Sequence, residues 1–139
     1  MNRLVLLALL PMALAVASCG DSTGPANGGC SEPVDIVINA GTTPTFSWSP
    51  SCTVGQVWVE DLTETDQDKK LMWSVLAEQN LIKPTVTYGV VPANSIQTQA
   101  PRAIQATVGG NPGHTYMLYL SVYGEDGVLA GYALQSFTP

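Results

Sequence analysis

Tyr116-Met-Leu-Tyr-Leu-Ser-Val-Tyr123 decides the fold class. Successive side chains of a β-strand point to opposite faces, so a half-buried strand alternates with period two. Here Tyr116, Leu118, Leu120 and Val122 share one face, and Met117, Tyr119, Ser121 and Tyr123 share the other. Outward from it, further short apolar runs lie at 34–38, 44–48, 55–62, 70–76, 84–90, 103–108 and 128–137. Turn signals separate them: Ser49-Pro50, Val91-Pro92-Ala93-Asn94, Gly109-Gly110-Asn111-Pro112-Gly113 and Gly124-Glu125-Asp126-Gly127. Seven or eight short strands with regular turns predict an all-β, two-sheet sandwich over residues 34–139.

One segment competes. In Leu71-Met-Trp-Ser-Val-Leu-Ala-Glu-Gln79, Leu71, Val75 and Gln79, like Met72 and Leu76, are spaced as on a helix. A strand through Trp73 and Val75 is the expectation, because a lone helix inside a sandwich is uncommon.

The start of the chain sets the compartment. Asn2 and Arg3 precede an apolar run from Leu4 to Ala17, shorter than the ~20 residues that span a bilayer. It fits the apolar core of a secretory signal over residues 1–18. Val16-Ala17-Ser18-Cys19 resembles the lipobox of bacterial lipoproteins, which implies cleavage before Cys19 and lipid on its sulfur. The membrane would then be reached through Cys19. The resemblance also implies several acyl chains, which anchor firmly where one does not. Gly20, where an Asp would imply retention at the inner membrane, implies sorting to the outer membrane of the cell envelope. Residues 19–33 are dominated by Gly, Pro, Ser and Asn and read as a linker between anchor and head.

With Cys19 lipidated, Cys30 and Cys52 form an even pair in an oxidising compartment. Val34–Ile38 and Thr45–Trp48 flank a turn-like stretch centred on Gly41, midway between the two cysteines. An antiparallel pair turning there brings Cys30 and Cys52 together, so a disulfide is expected. Two thiols without Cys-x-x-Cys spacing and one distant histidine do not make a metal site.

Two motifs resemble the fibronectin type III fold. Thr45-Phe-Ser-Trp-Ser-Pro50 is similar to that family's second strand, with Trp48 as its core tryptophan. Pro112-Gly-His-Thr-Tyr116 is similar to its tyrosine corner, which implies that the Tyr116 hydroxyl bonds back to the preceding backbone. Gly110 stands where the family carries a leucine, and Val108 is expected to take that role. A Cys30–Cys52 bridge is atypical of the family.

Chemistry is sparse. Four basic residues after Arg3 face eleven acidic ones, which excludes a basic nucleic-acid groove. Gly20-Asp-Ser-Thr-Gly24 matches a serine-hydrolase elbow in spelling, but no strand precedes it. His114, the only histidine, sits in a turn with no carboxylate or nucleophile suggested by spacing. Glu60, Asp61, Glu64, Asp66 and Asp68 lack the calcium-loop pattern and carry Lys69 and Lys70 beside them, so a solvated loop is expected rather than a calcium site. Nothing calls for a cofactor.

The aromatics are more informative. Trp58 alternates with Val57 and Val59, and Tyr119 and Tyr123 lie on the second face of their strand. If the two strands are neighbours, Trp58, Tyr119 and Tyr123 form an outward aromatic patch. Such a patch suits an envelope protein or a glycan. The sequence thus points to a lipid-anchored, non-catalytic binding or structural module. A carbohydrate-contacting module is its narrower version, and an enzyme of unrecognised type is the alternative.

Overall fold

The computed structural model describes residues 28–31, 33–110 and 112–139. The expected signal segment, Cys19 and most of the expected linker lie outside the described residues. Eight strands run β1 (Asp35–Asn39), β2 (Thr45–Ser49), β3 (Gln56–Asp61), β4 (Leu71–Leu76), β5 (Val86–Thr87), β6 (Ile96–Gln99), β7 (Tyr116–Tyr123) and β8 (Leu129–Phe137). They form two antiparallel sheets, ordered β1-β2-β5 and β6-β4-β3-β7-β8, packed as a two-sheet sandwich.

Alternation explains the core. On β7, Tyr116, Leu118, Leu120 and Val122 are buried, as their spacing predicts. They meet Val57 and Val59 of β3 and Trp73 and Val75 of β4 on the same inner face. From the smaller sheet, Phe46 and Trp48 close the interior. Phe46 meets Phe137 at 5.9 Å between ring centroids, and Tyr116 meets Phe137 at 5.5 Å. These side chains supply most of the stability, since burying a large apolar side chain contributes about 1.5–3 kcal/mol.

The contested segment is a strand at β4, paired with β3 through Val57↔Val75 and Val59↔Trp73. Only the turn before it is helical: α1 (Gln67–Lys70), capped by the Asp66 carboxylate, which accepts from the Asp68 amide at 3.1 Å. Helical spacing loses here because Trp73 and Val75 reach the core only in extended backbone.

Two strand assignments need correction. Residues 103–108 form no strand, and β6 at Ile96–Gln99 takes the place on the edge of β4. The Gln105 amide instead donates to the Tyr116 hydroxyl at 2.7 Å, and the Gln105 carbonyl accepts from the His114 amide. With its backbone bonded to a tyrosine and a turn, this segment has no ladder to join. Ile104 plugs the core beneath it, while Val108, expected inside, is 70% exposed. The run at 84–90 contracts to the two residues of β5.

Cys30 and Cys52 are bonded, with Cα atoms 4.9 Å apart. β1 and β2 pair in the hairpin register Asp35↔Ser49 to Asn39↔Thr45, which brings the outer ends together. The Cys30 amide also donates to the Thr53 carbonyl at 3.1 Å, and Gly29 bridges Thr53. The last residues before β1 are thereby fastened to the sandwich. Trp48, whose indole Nε1 donates to the Cys52 carbonyl at 2.9 Å, ties the bridge to the core.

Candidate functional site

β3 and β7 are neighbours, and their register places Trp58 directly opposite Tyr119. The two rings stack with centroids 4.7 Å apart and planes 3° from parallel. Both are half-buried on the face that points away from the core. Opposed aromatic pairs of this kind contribute about 0.5–1.5 kcal/mol beyond the area they bury. The Tyr119 hydroxyl donates to Glu60 Oε2 at 3.2 Å. Partial burial, with the nearby Glu60 charge, raises the Tyr119 pKa above the ordinary tyrosine value, so the ring stays neutral.

The pairing extends this surface. Tyr119 faces Leu134 on β8, and Ser121 faces Tyr132. Leu134 is 46% and Tyr132 67% exposed, large values for apolar side chains on a sheet face. On the other side Trp58 lies next to Ser74 of β4, a small buried side chain that accepts from the Gln56 amide at 3.3 Å. Beyond it stand Leu76 and the exposed Ile96, opposite one another on β4 and β6. The outer face therefore carries apolar or aromatic side chains on all five strands. Sequence reasoning missed Leu134, Tyr132, Leu76 and Ile96. Their own alternation was available, but which of them adjoin Trp58 depends on register across strands distant in sequence.

Tyr123 lies farther along the same sheet, past an irregularity between Val122 and Tyr123. Its hydroxyl donates to Gln56 Oε1 at 2.7 Å, two residues from Trp58 on the same face. The buried Asn80 carboxamide fixes its backbone, accepting from the Tyr123 amide at 2.9 Å and donating to the Tyr123 carbonyl at 2.7 Å. The ring packs over Gly55, where a Cβ would come within 2.4 Å of it. Any side chain at position 55 would push Tyr123 aside. Tyr123 also borders a cleft of about 310 Å³ with Leu76, Ala77, Gln79, Gly124 and Glu125. Two of the three expected patch residues thus form one stack, and the third is bonded to Gln56 on the same sheet.

At the opposite end of β3, His114 Nδ1 lies 2.5 Å from Asp61 Oδ2. Spacing along the chain suggests no carboxylate for His114, and the fold supplies one: Asp61 comes from a strand 53 residues earlier. The other Asp61 oxygen accepts from the Thr63 and Glu64 amides at 2.9 and 3.2 Å. Leu62 and Thr115 bond across the same junction, and the Thr115 amide donates to the Thr63 hydroxyl. The pair fastens two loops. The other acids serve locally: Glu64 accepts from the Thr65 and Asp66 amides, and Asp66, 2.9 Å from Lys69, caps α1. Both the Lys69 contact and the Asp68 amide hold the Asp66 pKa down. Among the described residues no group of three or more His, Cys, Asp or Glu is arranged to hold a metal ion, and no helix is long and apolar enough to cross a membrane.

The chain matches no family model, no curated protein and no solved structure.

Proposed function

We propose that this chain is a lipid-anchored protein of the cell envelope whose sandwich head is a non-catalytic binding module. Its contact surface is the outer face of the five-stranded sheet. The observation that carries the reading is the Trp58–Tyr119 stack, continued by the exposed Leu134 and Tyr132 into one apolar face. A face that served only solvation would carry polar side chains. The lipobox-like Val16-Ala17-Ser18-Cys19 supports the anchor, with outer-membrane sorting implied by Gly20. The Tyr116 hydroxyl bonded to upstream backbone and the buried Trp48 support the fibronectin type III likeness. That likeness concerns architecture and leaves activity to the site.

A protein partner fits this face better than a sugar laid on the stack. Each ring turns one face to the other, and a flat apolar surface suits a flat partner. A second reading, a small glycan, draws on the cleft beside Tyr123, which is of ligand size and mixes apolar walls with Gln79 and Glu125.

The test is a crosslinking pull-down of the intact protein from detergent-solubilised envelopes, with a Cys19→Ser form as the unlipidated control. A single reproducible partner, lost on Trp58→Ala and Tyr119→Ala, is the expected result. Capture that survives both substitutions would remove this surface from consideration. Retention of a glycan that depends on Tyr123 alone would favour the cleft.

A further inference from the structure

We infer that the free edge of β8 pairs with β8 of a second copy, joining two heads through one continuous sheet. This goes beyond the binding face above and does not depend on it. β8 runs nine residues, Leu129-Ala-Gly-Tyr-Ala-Leu-Gln-Ser-Phe137, and pairs only with β7. Among the described residues no strand is hydrogen-bonded to its other side, which leaves a row of backbone donors and acceptors there. β1 of the smaller sheet approaches β8 but pairs with β2 alone.

Folded chains protect such edges with charge, proline, bulges or brevity. The other three edges here are protected. β5 has two residues and follows Pro84. β6 has four residues between Pro92 and Pro101. β1 has five, opens on Asp35 and follows Pro33. β8 is bulged only at Ala130, near its start, and from Gly131 to Phe137 it has none of these devices: it is the longest strand among the described residues, carries no charged residue and contains no proline. Its exposed Leu129, Tyr132 and Leu134 add apolar side chains to an open backbone edge.

The occupant is argued from symmetry and charge. Two copies of an antiparallel edge strand meet around a two-fold axis, where each supplies the groups the other lacks. Centred on Ala133, the middle of β8, the pairing sets Tyr132 of one copy opposite Leu134 of the other on the outer face. Cross-strand aromatic–aliphatic pairs of this kind are favourable. The acidic turn Glu125-Asp126 of each copy falls beyond the far end of its partner's strand, so no like-charged side chains oppose one another along the edge. The two outer faces then lie side by side on one ten-stranded sheet.

The measurement is sedimentation of the full chain in detergent at rising concentration, with hydrogen exchange of the β8 amides in the same samples. A dimer whose formation slows exchange within Leu129–Phe137 is expected. Tyr132→Lys with Leu134→Lys, exposed positions that meet across the axis, should weaken the dimer by about tenfold or more. Val37→Lys, equally exposed on the β1 edge, and Trp58→Ala, two strands inward, should leave it unchanged. A double Tyr132→Cys, Leu134→Cys form should crosslink between copies on oxidation, which keeps the test open if the lysines impair folding. A monomer up to about 100 µM, or a dimer with unchanged β8 exchange, would overturn the inference. Loss of partner capture by Trp58→Ala with the dimer intact separates this result from the fate of the binding face.

Discussion

The two sheets bury similar inner faces and present opposite outer ones. Outside the three-stranded sheet stand Asp35, Val37 and Asn39 of β1 and Thr45, Ser47 and Ser49 of β2, nearly all small or polar. Outside the five-stranded sheet stand Trp58, Met117, Tyr119, Tyr132 and Leu134. Core burial explains neither set. The first is what water selects on a sheet face, and the second is the basis of the binding surface proposed above. The sheets also differ in how they are held. The smaller is a hairpin stapled by Cys30–Cys52, whereas the larger rests on long pairings of β3, β7 and β8.

Removing the staple should give the largest change. The bridge spans 22 residues, a loop whose closure stabilises the fold by about 3 kcal/mol on the chain-entropy model. Reduction, or Cys30→Ala with Cys52→Ala, should lower the unfolding free energy by about that amount, read in urea titration as a midpoint shift of about 1–3 M. An unchanged midpoint would mean that the smaller sheet does not depend on the staple.

Alkaline pH attacks the joint between the sheets. Tyr88, just past β5, reaches across to the Met72 and Arg102 carbonyls at 3.1 and 2.8 Å. Burial is the main reason its pKa is pushed up to about 12 from 10.0. The unfolded chain loses this proton near pH 10 and the folded chain only near 12. The stability is therefore complete below pH 10 and is lost as pH rises toward 12, a fall on the order of 2 kcal/mol from this group. Tyr116 and Tyr123, both raised chiefly by burial, act in the same direction. Tyr88→Phe should flatten the alkaline limb of a stability-against-pH curve, and an unaltered limb would assign it to other groups.

The two core tryptophans offer a finer contrast. Trp48 on the smaller sheet donates its indole N–H to Cys52, while Nε1 of Trp73 on the larger sheet is buried without a partner among the described residues. Phenylalanine at either position loses ring volume. At 48 it also loses a hydrogen bond, whereas at 73 it removes an unsatisfied donor that costs about 1–3 kcal/mol. Trp73→Phe should therefore destabilise less than Trp48→Phe by about 1–2 kcal/mol in matched unfolding curves. Equal losses would show that packing alone governs both sites.

Trp58→Ala should move stability modestly, by about 1–2 kcal/mol, the sum of the area a half-buried ring loses and the stack with Tyr119. Partner capture should nevertheless disappear. A loss of several kcal/mol would reassign Trp58 from the binding face to the core.

Much of the inner architecture was readable along the chain. Period-two alternation marked β7 and β3, and the turn centred on Gly41 put Cys30 beside Cys52 through local hairpin geometry. Pro112-Gly-His-Thr-Tyr116 marked the tyrosine whose hydroxyl binds upstream backbone. β6 escaped notice because Ile-Gln-Thr-Gln lies on an exposed edge and has no buried side to imprint a pattern. Residues 103–108 misled for the converse reason: their apolar spacing reflects Ile104 plugging the core from a loop.

The sequence by itself determined which side chains share a face within each strand, because alternation is a property of extended backbone and needs no partner. It also determined the disulfide, since hairpin ends meet wherever a short turn lies midway between them. Only the tertiary structure decided which strands adjoin. Register set Trp58 against Tyr119 across 61 residues of chain and Asp61 against His114 across 53. The same pairing left β8 as the long open edge. Those contacts arise when two sheets bury their apolar faces together, an energy summed over the whole core and written in no single stretch of chain.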